Sequence, residues 1–335
     1  MNMLSKTFRA LAVGCVLTAA SAASAAEQVE LKFAYWLPEK GNDWQTVFLP
    51  WIAKVTEASG GTLKIRAFTG GTLGRDPAAQ LKMIEDGVAD IAYPSPPYTP
   101  GRFPDSEVAE LPGLFKSSVH ASTSMWNAYD AGLLRGLEEF KVLGMFSSPP
   151  FSVHTARPVA SVADIKGLKL RSAGAYAIKA VEGLGATAVG MPMTEATEAI
   201  SRGVVDGMAA HPSILTQVGA ATVAKNHFQL ALGTGHVMLV MKKSVFDALP
   251  EAARKAIDDN SGLALSTAWG EANDGQATKL LEAWKAPGSG HKVVEPTAAD
   301  LQALDATFAP IQNEWKSGSP KGDEILSLIK STATN

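Results

Sequence analysis

Short runs that alternate apolar and polar residues recur through this chain, each followed by a stretch with apolar residues at helical spacing. That rhythm restricts it to an α/β fold. Val29, Leu31, Phe33 and Tyr35 alternate with Glu30, Lys32 and Ala34, marking a strand that ends at Trp36-Leu37-Pro38. Trp44, Val47, Phe48, Trp51, Ile52 and Val55 follow at helical spacing as far as Gly60-Gly61, with a kink expected at Pro50. Leu63–Phe68 predicts a second strand, with Lys64 and Arg66 on its alternate face. Asp76 and Pro77 supply an N-cap and a first residue for a helix to Gly87, and Ala89–Tyr93 the next strand. Strands separated by helices in this way predict a largely parallel sheet.

After Tyr93 comes PSPPYTPGRFPD, a loop too rich in proline for regular structure. A helical region over Ser118–Phe140, a strand over Val142–Phe146 and a break at Pro149-Pro150 follow. From Phe151 the alternation restarts, through Phe151–Ala156, Leu168–Arg171, Ala175–Leu184, Ala188–Gly190, Glu195–Arg202 and Val204–Ala209, so a domain boundary is expected there. His236–Met241 is nearly all apolar and reads as a strand buried on both faces. Glu251–Ala286 lacks proline and could form one helix of about 54 Å at ~1.5 Å per residue, with bends at Gly262, Gly270 or Gly275. A helix of that length exceeds one small domain and is expected to cross between two. The tail from Val293 to Ile329 supplies one more strand and two helices.

The first 26 of the 335 residues are a different object. Lys6 and Arg9 form a basic start, Ala10–Ala20 a short apolar core, and Ala23-Ser24-Ala25-Ala26 a small-residue cleavage site, the anatomy of a secretory signal with Glu27 as the mature start. The one cysteine, Cys15, lies inside it. Val13-Gly14 before it would suit lipid attachment, but the apolar run there is short and the later cleavage site is better formed. The remaining chain then has no disulfide, thiol nucleophile or Cys-based zinc site. Without Lys6 and Arg9 the balance is 28 basic against 33 acidic residues, a net charge of −5, which argues against nucleic acid as a partner. An exported, mildly acidic protein, periplasmic after processing, is expected.

Candidate chemistry concentrates in Ser161–Arg171 (SVADIKGLKLR). Ser161 to Asp164 reads as a capped turn, and Leu168 and Leu170 alternate with Lys169 in a short strand. Arg171 falls at its C-terminal end, beside the small residues Ser172-Ala173-Gly174. Ligands of open α/β sheets bind outside the carboxyl ends of strands, and a guanidinium placed there can receive a carboxylate. From this stretch alone a surface arginine is an equal alternative.

Taken in order, several stretches together resemble the solute-binding proteins of the TRAP (tripartite ATP-independent periplasmic) transporters, the DctP-like family. They are Gly70–Gly74, Gly87–Asp90, Leu111–Phe115, Asp164–Arg171, Leu184–Ala186, Met191–Glu195 and Val205–Gly207, spread over nearly the whole mature chain. The resemblance implies a clamshell of two α/β lobes joined by crossing strands and a long helix. The first lobe would hold residues 27–148 plus about 237–275, the second 149–236 plus about 276–335. It implies an organic acid held between the lobes, no cofactor or metal, and a pair of membrane permease subunits that receive the ligand. The arginine of the family's GLKLR motif, which pairs with the ligand carboxylate, falls on Arg171. Other pocket positions fall on Trp36, Tyr93, Ser95, Phe151, Ser172, Met193 and His211.

Departures from better-known members shift the expected ligand. Ser172-Ala173 replaces a common Val-Pro, and Phe151 stands where sialic-acid binders carry a second arginine. Ser95 and Ala210-His211 replace charged or amide residues of other members. One cation among Trp36, Tyr93, Phe151 and Met193 suits a single carboxylate on an apolar or aromatic body. A dicarboxylate fits if His211 or His236 supplies a second donor. An enzyme finds little support: there is no HExxH, P-loop, dinucleotide fingerprint or GxSxG elbow. A binder serving an ATP-driven importer or a receptor would share the two-lobe fold.

Overall fold

A computed structural model describes residues 28–332; the expected signal and Cys15 lie outside them. The N-terminal part folds as β1 (Val29–Ala34), α1 (Leu49–Ala58), β2 (Leu63–Phe68), α2 (Gln80–Glu85), β3 (Ile91–Ala92), α3 (Ser118–Asp130) and β4 (Phe140–Ser147). Then come β5 (Ser152–Thr155), β6 (Lys169–Ser172), α4 (Ala175–Gly183), β7 (Thr187–Gly190), α5 (Ala196–Ser201), β8 (Gly207–Ala210), α6 (Pro212–Gln217) and β9 (Asn226–Phe228). The chain finishes with β10 (His236–Lys242), α7 (Lys243–Asp247), α8 (Glu251–Asp259), α9 (Leu263–Lys285), β11 (Lys292–Val294), α10 (Ala298–Gly318) and α11 (Gly322–Thr332).

Two mixed sheets result, in the orders β2-β1-β3-β10-β4 and β11-β9-β5-β8-β6-β7. The expectation of a largely parallel sheet needs correcting at one strand in each. β10 runs antiparallel to both β3 and β4, and β5 antiparallel to both β8 and β9. These are strands that enter after the chain has crossed from the other sheet, so no crossover helix imposes a parallel course on them. The two passages between sheets lie side by side: Ser148 N–H bonds Gly235 O at 3.0 Å, and Phe151 N–H bonds Gly233 O at 2.7 Å.

Local chemistry accounts for most boundaries. Over Trp44–Phe48 the backbone widens to a π turn, Leu49 N–H bonding Trp44 O, before α1 begins with Pro50 in its first turn. Pro50, where the sequence predicts a kink, follows directly on this change of helix type. Asp76 caps as expected, accepting from Ala78 N–H. Ser161 and Asp164 form a capping box. The strand expected over Ala89–Tyr93 pairs only at Ile91–Ala92, and two 3₁₀ turns (Pro96–Tyr98 and Ser106–Glu110) punctuate the proline-rich region and its continuation.

The single helix expected over Glu251–Ala286 is two. The first run ends at Asp259 with Asn260 as its cap, and Gly262, at φ 77°, opens α9. Gly270 is no bend: a Cβ there would lie 2.7 Å from Val119 Cα, so its hydrogen lets α9 press against α3. Asp274, one turn on, accepts from Ser118 and Val119 N–H (2.8 and 3.0 Å) and so satisfies the start of α3. α9 packs on α3 and β4 from the first sheet's side and on α6 and β11 from the second's, the crossing course expected of it.

Candidate functional site

Where the two sheets face each other, the strand ends and crossing segments enclose a cavity. Its volume is about 80 Å³ counted at the centres of the waters it admits, room for several waters at ~10–15 Å³ each and hence for one small organic molecule. Trp36, Tyr93, Ser95 and Tyr98 reach it from beyond β1 and β3, while Arg171, Met193 and His211 enter from the second sheet. Phe151 comes from the crossing segment and Trp269 from α9.

Arg171 is 1% exposed. Its Nε donates to the Met191 carbonyl (3.0 Å) and one terminal nitrogen to the Tyr98 hydroxyl (2.8 Å). The same hydroxyl accepts from Met193 N–H at 3.1 Å. Among the described residues no carboxylate pairs with Arg171. A buried guanidinium held by neutral acceptors is positioned but not neutralised.

Trp36, Tyr93, Tyr98, Phe151 and Trp269 are the aromatic members of the walls. Behind them Phe33, Tyr35, Trp44, Phe48, Tyr93 and Phe146 pack edge-on or tilted, with Trp269 stacked on Phe146 at 5.4 Å. Trp36 Nε1 donates to the Tyr93 main-chain carbonyl (3.0 Å), which fixes the Trp36 ring. His211 stacks on Phe151, ring centroids 6.2 Å apart and planes 8° from parallel, and burial holds it down at about 3, a neutral ring. Opposite in character is Asp43, 5% exposed, whose carboxyl burial pushes up against the contrary pull of Tyr35, Gln217 and Trp269.

Of the positions singled out from the sequence, Trp36, Tyr93, Ser95, Phe151, Arg171, Met193 and His211 are brought together around this cavity. Ser172 is not among its walls; it is fully buried, and Ala173 takes the lining place. His236 is also outside: its Nδ1 meets Ser147 Oγ at 2.9 Å inside the strand pair. Tyr98, Asp43, Gln217, Trp269 and Asn273 were not anticipated. Tyr98 sat in a loop read only for its prolines, and the others depend on contacts across the fold that no local pattern carries.

A second histidine group lies behind β8. His154 Nε2 donates to Ala210 O (3.0 Å), so its Nδ1 accepts from His227 (2.8 Å), whose Nε2 in turn accepts from His291 (2.9 Å). Trp284 stacks on His227 at 4.1 Å. No three His, Cys, Asp or Glu among the described residues are arranged to hold a metal, and no helix among them is long and apolar enough to cross a membrane.

Comparison with known proteins follows the same outline. The profile of bacterial extracellular solute-binding protein, family 7 (DctP), matches residues 33–317. A solute-binding protein of Verminephrobacter eiseniae is 27% identical over 93% of this chain and 92% of its own. Among solved structures, a marine-metagenome TRAP solute-binding protein specific for aromatic acids, in complex with 3-hydroxybenzoate, superposes with a TM-score of 0.85. It is 29% identical and covers 92% of this chain and 98% of that one. A TRAP solute-binding protein of Rhodoferax ferrireducens with copurified benzoate scores 0.84 at 29% identity, covering 91% and 97%.

Proposed function

Because the chain belongs to family 7 of the bacterial extracellular solute-binding proteins, we propose that it captures an organic acid with one carboxylate on an aromatic or apolar body and that Arg171 anchors that carboxylate. One observation carries the reading: a guanidinium 1% exposed, without an acidic partner among the described residues, at the wall of a mostly apolar cavity with several aromatic side chains. Burying a cation unpaired is costly, and a ligand carboxylate supplies the missing charge. Tyr98 adds a second contact, since its oxygen already accepts from Arg171 and Met193 and its own proton is left to donate to the acid. The bound acids of the two solved neighbours, benzoate and 3-hydroxybenzoate, support this ligand class.

A ligand touching walls from both sheets stabilises the closed arrangement by its differential affinity, and excluding water strengthens the Arg171 contact. The acid leaves chemically unchanged and passes in the periplasm to the small and large membrane subunits of a TRAP transporter. Calorimetric titration with benzoate tests the anchor: Arg171→Ala is expected to weaken binding by about 100-fold or more while the unliganded protein melts as before. Near-normal affinity in that variant refutes it. Delivery is tested by uptake into vesicles containing the membrane subunits; labelled acid that enters equally well without this protein rules it out.

A further inference from the structure

Away from Arg171 the cavity is lined by a carboxyl rather than by a second cation. Asp43, just ahead of the π turn below the first sheet, is 5% exposed and lines the same cavity. Gln217 Nε2 donates to its Oδ1 at 3.4 Å, a long bond, while the Tyr35 hydroxyl and Trp269 indole N–H, which pull on the same carboxyl, are buried without a hydrogen-bond partner. No lysine or arginine among the described residues pairs with it, and Arg171 is not among the groups acting on it. A carboxylate offers about four lone-pair sites, so one long bond from a neutral donor leaves it able to accept another hydrogen bond. Asn273, also at the wall, donates its amide to Trp269 O (3.0 Å), which leaves its carbonyl oxygen as an acceptor. His211 is a neutral ring without a partner at Nδ1. No cation besides Arg171 lines the cavity among the described residues.

We propose that Asp43 is a specificity residue, accepting a hydrogen bond from a hydroxyl on the body of the bound acid and turning away acids with a second carboxylate. The inference rests on Arg171 as the anchor of the first carboxylate. With the acid held there, its body extends among Tyr93, Phe151 and Trp269, and what it presents to Asp43 decides the fit. A hydroxyl completes the carboxylate's hydrogen bonding. A hydrogen atom adds nothing. A second carboxylate would confront the buried Asp43 carboxyl and the Asn273 carbonyl, with no second cation to offset them.

The experiment is calorimetric titration of the mature protein with benzoate, 3- and 4-hydroxybenzoate, isophthalate and terephthalate. At least one hydroxybenzoate is expected to bind about ten-fold or more tighter than benzoate, as a hydrogen bond to a charged group would give, and neither dicarboxylate to bind. In Asp43→Asn the affinity ratio of that hydroxybenzoate to benzoate, both measured on the variant, falls to about three-fold or less. Equal affinity for benzoate and both hydroxybenzoates overturns the proposal, as does tight binding of either dicarboxylate, and both results need only the wild-type protein. Persistence of the hydroxyl preference in Asp43→Asn overturns it too. Failure of benzoate itself to bind removes the Arg171 reading first and this one with it, which keeps the two apart.

Discussion

Four buried histidines make the fold sensitive to mild acid. His154, His211, His227 and His236 are all 9% exposed or less, and burial depresses them from 6.5 to about 4, 3, 2 and 4. In the row His154–His227–His291 the lone pairs are already taken. A further proton on His154 Nδ1 or His227 Nε2 would set two N–H groups against each other. Each of the four is therefore neutral when folded and, below 6.5, protonated when unfolded. Their stabilisation is complete above 6.5 and drains away as pH falls from there toward the folded values. At about pH 5.5 the loss is about 1.4 kcal/mol per histidine and about 5–6 kcal/mol for four.

Glu110 works in the other direction. It is 1% exposed, accepts from Tyr176 N–H at the start of α4 (2.9 Å), and burial pushes it up to about 8. Between 4.5 and 8 the folded state keeps a proton that the unfolded chain releases, so acidification from about pH 7.5 to 5.5 returns about 2–3 kcal/mol. Asp43, also raised, acts in the same sense. The wild type should thus lose about 3 kcal/mol over those two pH units, and Glu110→Gln, which lacks the largest opposing contribution, about 5–6 kcal/mol, out of the ~5–15 typical of a domain. Urea unfolding at both pH values, followed by tryptophan fluorescence and far-UV circular dichroism, measures the difference. A Glu110→Gln protein as stable at pH 5.5 as at 7.5 would refute the reasoning.

Two further changes probe the site and its support. Tyr98→Phe removes the oxygen that accepts from Arg171 and Met193, leaving both donors unpaired; affinity for benzoate should fall by about ten-fold in calorimetry, with the fold intact. Asp105, 1% exposed, holds Ser319 Oγ (2.7 Å) and Arg135 N–H (3.0 Å) as well as the half-exposed Arg135 side chain. Asp105→Ala should cost about 2–3 kcal/mol in urea unfolding, most of it from the stranded hydrogen-bond donors, so that 1 M salt changes the loss little.

Local chemistry made much of this fold readable. Alternation at Leu63–Phe68, the cap at Asp76-Pro77, the box at Ser161–Asp164 and the glycine at Gly262 all express preferences that act within a few residues. What stayed hidden depends on partners far along the chain. The antiparallel courses of β5 and β10 follow from where neighbouring strands lie, not from their own residues. Gly270 looks like a helix bend until α3 is packed on it. Arg171 was legible because a motif and a strand end coincide there. Asp43 was not, because a carboxyl before a helix reads as an ordinary cap until Gln217, Tyr35 and Trp269 close around it.

The strand order also sets a timetable for the growing chain. β10 sits between β3 and β4, so β4 has no neighbour in the first sheet until residues 236–242 emerge. The second sheet lacks its edge until β11 at 292–294. Neither half can finish while most of the chain is still being made, and such long-range pairings form slowly. A chain of this topology completes its fold late, once segments far along the sequence are available to fill the places left for them.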